Sequence, residues 1–448
     1  MVPKDHHYNV VIIGGGITGT SLLFALARYT NISHLALFEK YGDVAEVNSH
    51  YNNNSQTLHF GDIETNYTLE KAGRVKEAAQ MLVRYLEKYA SDAFVKGPKM
   101  VLAVGDKEVN ELEDRFSKFQ VLFPKLKKIG REEINRLEPR VVAGRDQKEK
   151  IMALLSENGY AVDYKKLSRS FVLKARQLEK TVDVFLNTDV TNIQPEDEGY
   201  KIITISRGVF KADVIAVMAG PHSLVFAKKL GYGKNFGLLP VAGSFYCADD
   251  ILRGKVYTMQ IKKLPFAAIH GDPDVNNPKE TRFGPTAKVL PLLERHNYST
   301  VMDFIKTSVW SLKGILSLIK IITDRTLFLY VLKNFGYDLP FVGKWLFLKE
   351  AKKIVPTLRY TDLHFGKGIG GIRPQVVNID TKKLEMGEAE IVGDKILFNI
   401  TPSPGASVSL KNAEQDALRI VSMLGRPFQF DEQKWCQDFG STMIECKE

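Results

Sequence analysis

A glycine-rich turn between two apolar runs is the feature that most restricts how this chain can fold. Residues 10–13 are Val-Val-Ile-Ile, residues 14–19 form the turn, and a second apolar run at 35–38 stops at Glu39. The turn has the spacing G-x-G-x-x-G, at Gly14, Gly16 and Gly19. Strand, glycine turn, helix, strand and acid is the order of a dinucleotide-binding βαβ unit.

Each residue type in this unit has a physical role. Gly14 permits the tight turn, Gly16 lets the backbone approach a pyrophosphate, and Gly19 lets the helix pack close to the sheet. The helix that follows offers the partial positive charge of its N-terminus to phosphate. Glu39 can accept hydrogen bonds from ribose hydroxyl groups. A glycine-rich turn in an ordinary α/β domain is the alternative, and it leaves Glu39 unexplained.

Composition describes an ordinary globular protein. The chain has 448 residues, of which 44% are hydrophobic and 25% charged, and it is long enough for two or three domains. Its three cysteines are far apart and show no metal-ligand spacing, so we expect a reducing compartment and no metal. The first apolar run begins near residue 8, so we expect no signal or transit peptide and a cytoplasmic location.

The net charge is +10, which suits nucleic acid, an anionic membrane surface or an anionic substrate. The basic residues are spread along the chain without a nucleic-acid-binding motif, so we expect no nucleic acid partner.

Segments typical of a nucleotide-binding domain recur along the chain and predict a discontinuous cofactor domain. It comprises residues 1–67, 161–237 and 366–425. A substrate domain occupies residues 68–160, which look helical as far as 135, and the β-rich segment 238–365. Residues 426–448 are predicted to form a C-terminal tail.

Residues 300–350 combine apolar residues at helical spacing with lysines. Lys306, Lys313 and Lys320 recur at every seventh position, on the side opposite the apolar residues. A helix of this kind can lie in the plane of a membrane interface. An ordinary helix that faces the core beneath a lysine-bearing surface is the alternative.

Five further motifs carry a family resemblance, at residues 54–68, 239–246, 268–273, 281–286 and 401–406. With the glycine turn, they resemble in order the malate:quinone oxidoreductases, in the short form of ε-type proteobacteria. The resemblance implies an α/β fold of the glutathione-reductase type in its amino-acid-oxidase-like branch. It further implies FAD, oxidation of (S)-malate to oxaloacetate, and electrons passed to membrane quinone at the inner face of the cytoplasmic membrane.

Oxidation of a 2-hydroxy acid needs a base for the hydroxyl proton and a hydride acceptor, which in this family is flavin N5. Histidine suits the base because it titrates near neutrality. Of nine histidines, only His59 and His270 lie in the resembling motifs. His270 follows the apolar residues 265–269 and precedes a Gly-Asp-Pro turn, so we predict that it is the base. A packed, hydrogen-bonded histidine is the alternative.

Malate has two carboxylates, which suit bidentate guanidinium groups. Arg282 stands in the motif at 281–286, and Arg373 stands in Gly-Gly-Ile-Arg-Pro at 370–374, which resembles the segment of the carboxylate-binding arginine of amino-acid oxidases. Both are predicted to bind the carboxylates. The residues predicted to lie on the substrate and flavin side are Gln56, Thr57, His59 and Thr286, with local loop capping as the alternative. The predicted cofactor-binding residues are Gly14, Gly16, Thr18, Gly19, Glu39, Lys40, Ser55, Gln56, Val190, Ala219, Gly220, Gly371, Pro404, Gly405 and Ala406.

Three other functions fit parts of the pattern. A related enzyme could act on another 2-hydroxy acid, such as 2-hydroxyglutarate. A flavin-binding scaffold would keep the fold without turnover. The first motif alone fits an NAD-dependent enzyme, but the two later cofactor segments favour the larger FAD. The oligomeric state is not predicted.

Overall fold

The computed structural model describes residues 6–260, 268–385, 389–402 and 404–440. The strands are β1 His7–Ile13, β2 His34–Phe38, β3 Phe94–Val104, β4 Lys127–Ile129, β5 Ile151–Val162, β6 Thr181–Phe185, β7 Val190–Pro195, β8 Tyr200–Thr204, β9 Val209–Val217, β10 Phe236–Ala242, β11 Tyr246–Asp249, β12 Lys255–Thr258, β13 His270–Pro273, β14 Glu280–Gly284, β15 Lys288–Val289, β16 His364–Phe365, β17 Ile372–Asn378, β18 Lys383–Leu384, β19 Ala389–Gly393 and β20 Ile396–Ile400.

The chain also contains α-helices, which occur singly and in groups. They are α1 Ile17–Tyr29, α2 Leu69–Tyr89, α3 Asp106–Phe119, α4 Arg131–Leu137, α5 Pro139–Val142, α6 Tyr164–Arg176, α7 Ser223–Lys229, α8 Val301–Phe304, α9 Leu312–Ile322, α10 Arg325–Gly336, α11 Gly343–Ala351, α12 Ser409–Leu424 and α13 Glu432–Phe439.

The first sheet contains the predicted βαβ unit. Its main strand order is β19-β20-β9-β1-β2-β6, and β20, β9, β1, β2 and β6 run parallel. The apolar run of β1 is buried because helices and further strands cover both faces of the sheet, as in other parallel sheets. Strands from three distant segments of the chain therefore build one sheet. The exact domain boundaries remain a prediction.

The second sheet has a polar face. Its strand order is β16-β11-β14-β13-β12-β3-β5-β4. Tyr257 pairs with His270 and Asp272 pairs with Arg282, and paired residues point to the same side of a sheet. These side chains therefore lie together. A third sheet, β15-β10-β17-β18, joins β10 to β17 and places Arg373 opposite Val241.

Two sequence-based expectations need correction. The helical prediction for residues 68–135 is wrong at 94–104, where the buried, apolar residues 100–103 belong to β3, and at 127–129, which form β4. The segment predicted as a tail contains α13, whose Trp435 and Phe439 are buried in the core beside α1. Of the apolar run before His270, residues 265–267 lie outside the described residues. Ser403 of the last motif also lies outside them.

Residues 298–353 form a layer of short helices. A π-helical turn, Ile305–Val309, follows α8, and Ser311 caps α9 by accepting a hydrogen bond from the N–H of Gly314. The inner side of α9 packs Leu318 and Ile321 into the core, whereas Leu312 and Ile319 on the same helix are exposed. The core-facing interpretation therefore describes the inner side of this helix, and the membrane interpretation of its outer side stays a prediction. No helix among the described residues is long and apolar enough to cross a membrane.

Candidate functional site

A large cavity of about 770 Å³ lies at the carboxyl ends of β1, β2, β9 and β20. Ligands of open α/β sheets bind at this edge, where the loops after the parallel strands meet. The cavity continues past the sheet to the start of β17 and to residues 53–59. The cavity extends from Glu39 to Arg373, and both residues line it.

The turn after β1 can be formed only with glycine at two positions. Gly14 has φ +110°, and a Cβ atom there would lie 2.5 Å from the carbonyl oxygen of Met218. A Cβ at Gly19 would lie 1.9 Å from the carbonyl oxygen of Gly14. Gly16 and Thr18 line the cavity at the N-terminus of α1. The positive end of the helix therefore faces the cavity, which suits a pyrophosphate.

Glu39 is fixed at one end of the cavity. Its carboxylate accepts hydrogen bonds from the N–H groups of Gly15, at 2.7 Å, and Tyr41, at 3.0 Å. Burial raises the pKa of Glu39 despite these hydrogen bonds. Next to it, Lys40 forms an ion pair with Glu294, which also accepts a 2.6 Å hydrogen bond from the Tyr41 hydroxyl. No sequence motif indicated Glu294.

Most of the predicted cofactor residues line this one cavity. They are Gly14, Gly16, Thr18, Glu39, Lys40, Ser55, Val190, Ala219, Gly220, Gly371, Pro404, Gly405 and Ala406. Gly19 lies under the turn instead. Gln56 is fully buried, and its side chain donates to Asp274 at 2.8 Å and accepts from the N–H of Val275 at 2.9 Å. Gln56 therefore fixes its loop to the second sheet.

The two predicted carboxylate-binding arginines have different surroundings. Arg373 lines the cavity and is partly exposed, and among the described residues no carboxylate lies within ion-pair distance of it. Burial lowers the pKa of Arg373. Arg282 is fully buried outside the cavity lining, with its Nη2 3.2 Å from Asp272 and its Nε 3.4 Å from Asp274. Arg373 therefore has unused capacity for an anion, whereas Arg282 is already paired.

His270 lies one layer behind the cavity wall. Its ring stacks on Tyr257 at 4.5 Å, with Nε2 3.1 Å from Asp272 Oδ1 and Nδ1 3.3 Å from the carbonyl oxygen of Ala268. Burial lowers the pKa of His270, although Asp272 acts in the opposite direction. The Tyr257 hydroxyl lies 2.5 Å from Thr57 Oγ1, and Thr57 lines the cavity. His270 therefore reaches the cavity indirectly, through Tyr257 and Thr57 and through the edge of its ring, which faces the cavity-lining Phe245 at 6.4 Å between ring centres.

His59, by contrast, lines the cavity itself. Its Nδ1 lies 2.6 Å from the buried Glu64, which leaves Nε2 for another partner. Burial alone would raise the pKa of Glu64, but His59 and Lys99 hold it well below its usual range. Glu64 stands five residues after His59 in the same motif, and this short spacing is the signal that sequence reasoning missed.

Two other groups lie outside the cavity lining. Thr286 is fully buried, and its hydroxyl accepts a 3.0 Å hydrogen bond from the N–H of Ser244. Strand pairing brings the ligand atoms of Cys247, Glu280 and His364 within 4.8 Å of one another. Arg282 is opposite Cys247 in the sheet, and its positive charge opposes a cation there.

Residues 6–420 match the family model of malate:quinone oxidoreductase. The chain belongs to the malate:quinone oxidoreductase family. It is 43% identical to a probable malate:quinone oxidoreductase of Campylobacter jejuni, over 96% of this chain and 98% of that protein. It is 40% identical to the malate:quinone oxidoreductase of Helicobacter pylori, over 95% of this chain and 96% of that protein.

Solved structures of other flavoenzyme families share the fold of this family member. An L-α-glycerophosphate oxidase from Mycoplasma pneumoniae with FAD bound has a TM-score of 0.64 at 18% identity, covering 93% of this chain and 95% of that one. Glycine oxidase from Geobacillus kaustophilus has a TM-score of 0.64 at 17% identity, covering 96% and 98%. These similarities confirm the predicted FAD-oxidoreductase fold.

Proposed function

We propose that this protein oxidises (S)-malate to oxaloacetate with FAD and passes the electrons to a membrane quinone. The observation that carries the proposal is Arg373. Its guanidinium lies in the cavity that begins at the phosphate-binding turn, and it has no carboxylate partner among the described residues. A cation in such a position is suited to an anionic substrate.

The cavity residues fit FAD along its length. The glycine turn and the N-terminus of α1 would hold the pyrophosphate, and Glu39 would accept hydrogen bonds from the ribose. Gly405 begins a helical turn at Gly405–Val408, whose N–H groups would face the flavin ring. When bound, FAD supplies the hydride acceptor of the reaction.

Arg373 would bind one carboxylate of malate and orient it. A guanidinium does this with two parallel hydrogen bonds, which fixes the direction of the substrate as well as its charge. Thr57 lines the same cavity, and its hydroxyl, which lies 2.5 Å from the Tyr257 hydroxyl, would add a neutral hydrogen bond. Arg282 remains the second predicted carboxylate ligand, but it would have to act from behind the cavity wall.

The substrate hydroxyl needs a proton acceptor, and His59 is the better placed of the two histidines. Its Nδ1 is directed to Glu64, so the carboxylate would fix the tautomer with the lone pair on Nε2. His270, the base predicted from sequence, is the second candidate. It ranks below His59 because both of its ring nitrogens already face protein groups.

The second substrate, quinone, dissolves in lipid, so we place the protein at the inner face of the cytoplasmic membrane. The net charge of +10 favours the anionic lipids of that surface.

An anaerobic titration of the purified holoprotein with malate tests the proposal. We expect malate to bleach the flavin absorbance faster than 2-hydroxyglutarate, which is one methylene longer; such a difference is worth about 10- to 200-fold in specificity. Faster bleaching by 2-hydroxyglutarate would move the protein to the related hydroxy-acid dehydrogenases, and no bleaching by any hydroxy acid would support a scaffold.

A further inference from the structure

The helical layer exposes large apolar side chains on its outer side. We call this surface the apolar face and define it by Trp310, Leu312, Ile319, Leu332, Phe341 and Trp345. Trp310 is 82% exposed and Phe341 93% exposed. These residues come from consecutive segments of the chain, between residues 310 and 345. Large exposed apolar side chains concentrated in one layer of a soluble protein mark an interaction site.

The apolar face cannot be an unfilled part of the core, because each helix already has a separate buried side. Ile321 of α9 and Leu327 of α10 pack into the core beneath the first and third sheets. Phe347 of α11 packs against the second sheet, with its ring 4.5 Å from Tyr246. The outer sides of these helices therefore point away from the body of the protein.

Basic residues surround this surface. Residues 298–353 contain nine Lys and Arg against four Asp and Glu. Lys313 and Lys320 are exposed on α9, between the exposed apolar residues, and Lys349 Nζ lies 3.6 Å from the centre of the Trp345 ring. Apolar and aromatic side chains with lysines among them fit the boundary between lipid tails and anionic headgroups. A second copy of this chain would instead bring like charges together.

The helical layer also supports the cavity wall. The side-chain oxygen of Asn334 in α10 accepts a 2.7 Å hydrogen bond from the N–H of Ala287, two residues after the cavity-lining Pro285. The carbonyl oxygen of Tyr337 accepts a 2.7 Å hydrogen bond from the hydroxyl of Tyr246, next to the cavity-lining Phe245. The layer thus lies directly outside the end of the cavity that contains Arg373.

We propose that the apolar face docks on an anionic lipid bilayer and turns the Arg373 end of the cavity toward it. The orientation of this proposal rests on the proposed function, since it brings the reacting end of the cavity to the side from which a lipid-dissolved quinone would approach. Docking itself does not depend on turnover.

Vesicle binding tests the docking. The probe is a phosphatidylcholine vesicle with or without phosphatidylglycerol, and the readouts are co-sedimentation and a blue shift of tryptophan fluorescence. We expect the wild-type holoprotein to bind the anionic vesicles more tightly. Trp310→Glu with Phe341→Asn removes two inserting rings and is expected to weaken binding by about tenfold or more.

Matched variants separate the apolar face from general surface effects. Val121 is 90% exposed and Ile205 71% exposed, and both lie outside the helical layer. Val121→Asn with Ile205→Asn is expected to leave vesicle binding unchanged. Lys313→Glu with Lys320→Glu is expected to abolish the preference for phosphatidylglycerol, because it reverses the charges nearest the lipid headgroups.

Electron transfer tests the orientation. The docking variants should keep wild-type flavin reduction by malate and wild-type turnover with a water-soluble acceptor, but lose turnover with a long-chain quinone embedded in vesicles. Unchanged vesicle binding in Trp310→Glu with Phe341→Asn would overturn the proposal. So would a wild-type protein that ignores vesicles and self-associates through this surface in sedimentation analysis. If malate does not reduce the flavin of the wild-type protein, only the proposed function is refuted.

Discussion

Arg373 and Arg282 show how the surroundings of two guanidinium groups on neighbouring sheets can differ. Arg282 lies between two acidic side chains, so its charge is already compensated. Arg373 has no such partner among the described residues, and its unpaired charge in a partly buried place is an energetic cost unless an anion binds. We infer that binding the substrate relieves this cost.

Arg373→Ala should lower kcat/KM for malate by about 100-fold or more while FAD stays bound, because a charge-assisted, bidentate contact is lost. Steady-state kinetics with a soluble acceptor measure the effect, and flavin absorbance measures the bound cofactor. Arg325→Ala, on the exposed side of α10, is the control. Turnover near wild type in Arg373→Ala would remove this residue from the site, and Arg282→Lys would then be the next variant to examine.

The two histidine–carboxylate pairs predict different kinetics. His59→Gln should slow flavin reduction by malate by roughly 100-fold, the usual contribution of a positioned base, and Glu64→Gln should slow it less. The lowered pKa of His270 keeps that ring neutral down to pH values below its ordinary range, so a His270 base would give a rate that stays flat to lower pH. Stopped-flow reduction across pH compares the variants. A larger loss in His270→Gln than in His59→Gln would restore His270 as the base.

The unit from β1 through α1 is formed by local rules and is correspondingly intolerant of change. At Gly14 and at Gly19, the carbonyl oxygen of another residue occupies the space that a side chain would need. The unit supplies both the helix end for phosphate and the direction of α1, so a change in the turn acts on the cofactor and on the sheet together.

Gly19→Ala should greatly reduce FAD content, since its Cβ would overlap the carbonyl oxygen of Gly14 and push α1 away from the turn. The ratio of flavin to protein absorbance in the purified variant measures this. Gly73→Ala in α2 is the matched control, because a Cβ there meets nothing within 4 Å and alanine favours a helix. Full flavin content in Gly19→Ala would contradict the role assigned to the turn.

At the scale of the whole molecule, a buried network of charged side chains joins the second sheet to the cavity loop that contains Ser55. Burial alone would raise the pKa of Asp272, but Lys255 and Arg282 hold it well below its usual range. Lys255 also donates a 2.9 Å hydrogen bond to the carbonyl oxygen of Ser55, which lines the cavity. Protonation of Asp272 would therefore weaken the contact between the second sheet and the loop at Ser55.

Stability should fall as the pH falls, for two reasons with the same sign. Asp272 and Glu64 have depressed pKa values in the folded state, so their contribution is present above the ordinary carboxyl pKa and is lost below it. His270 has a lowered pKa, so the unfolded chain binds more protons as the pH drops below about 6.5. Thermal unfolding from pH 8 down to pH 4 should give a decreasing Tm, and Glu64→Gln should reduce the slope. A Tm that rises on acidification would contradict this account.

Short-range features of the sequence determined the cofactor site. The glycine turn, Glu39 and the glycine before α12 depend on backbone sterics and on neighbours within a few residues, so their pattern could be interpreted without the fold. The same holds for His59 and Glu64, which share one motif.

Only the tertiary structure decided the state of Arg282, Arg373 and His270. Arg282 pairs with Asp272 on the neighbouring strand β13, the ring of His270 stacks on Tyr257 of β12, and Arg373 has no carboxylate partner among the described residues. Burial and contacts between strands that are distant in the chain cannot be read along a sequence. It also decided which half of the apolar residues at 310–345 faces the core, because a helix pattern gives an apolar side but not what covers it. The physical reason is common to both cases. The contribution of a charge or of apolar area to the free energy of folding depends on the neighbours that folding brings into contact with it.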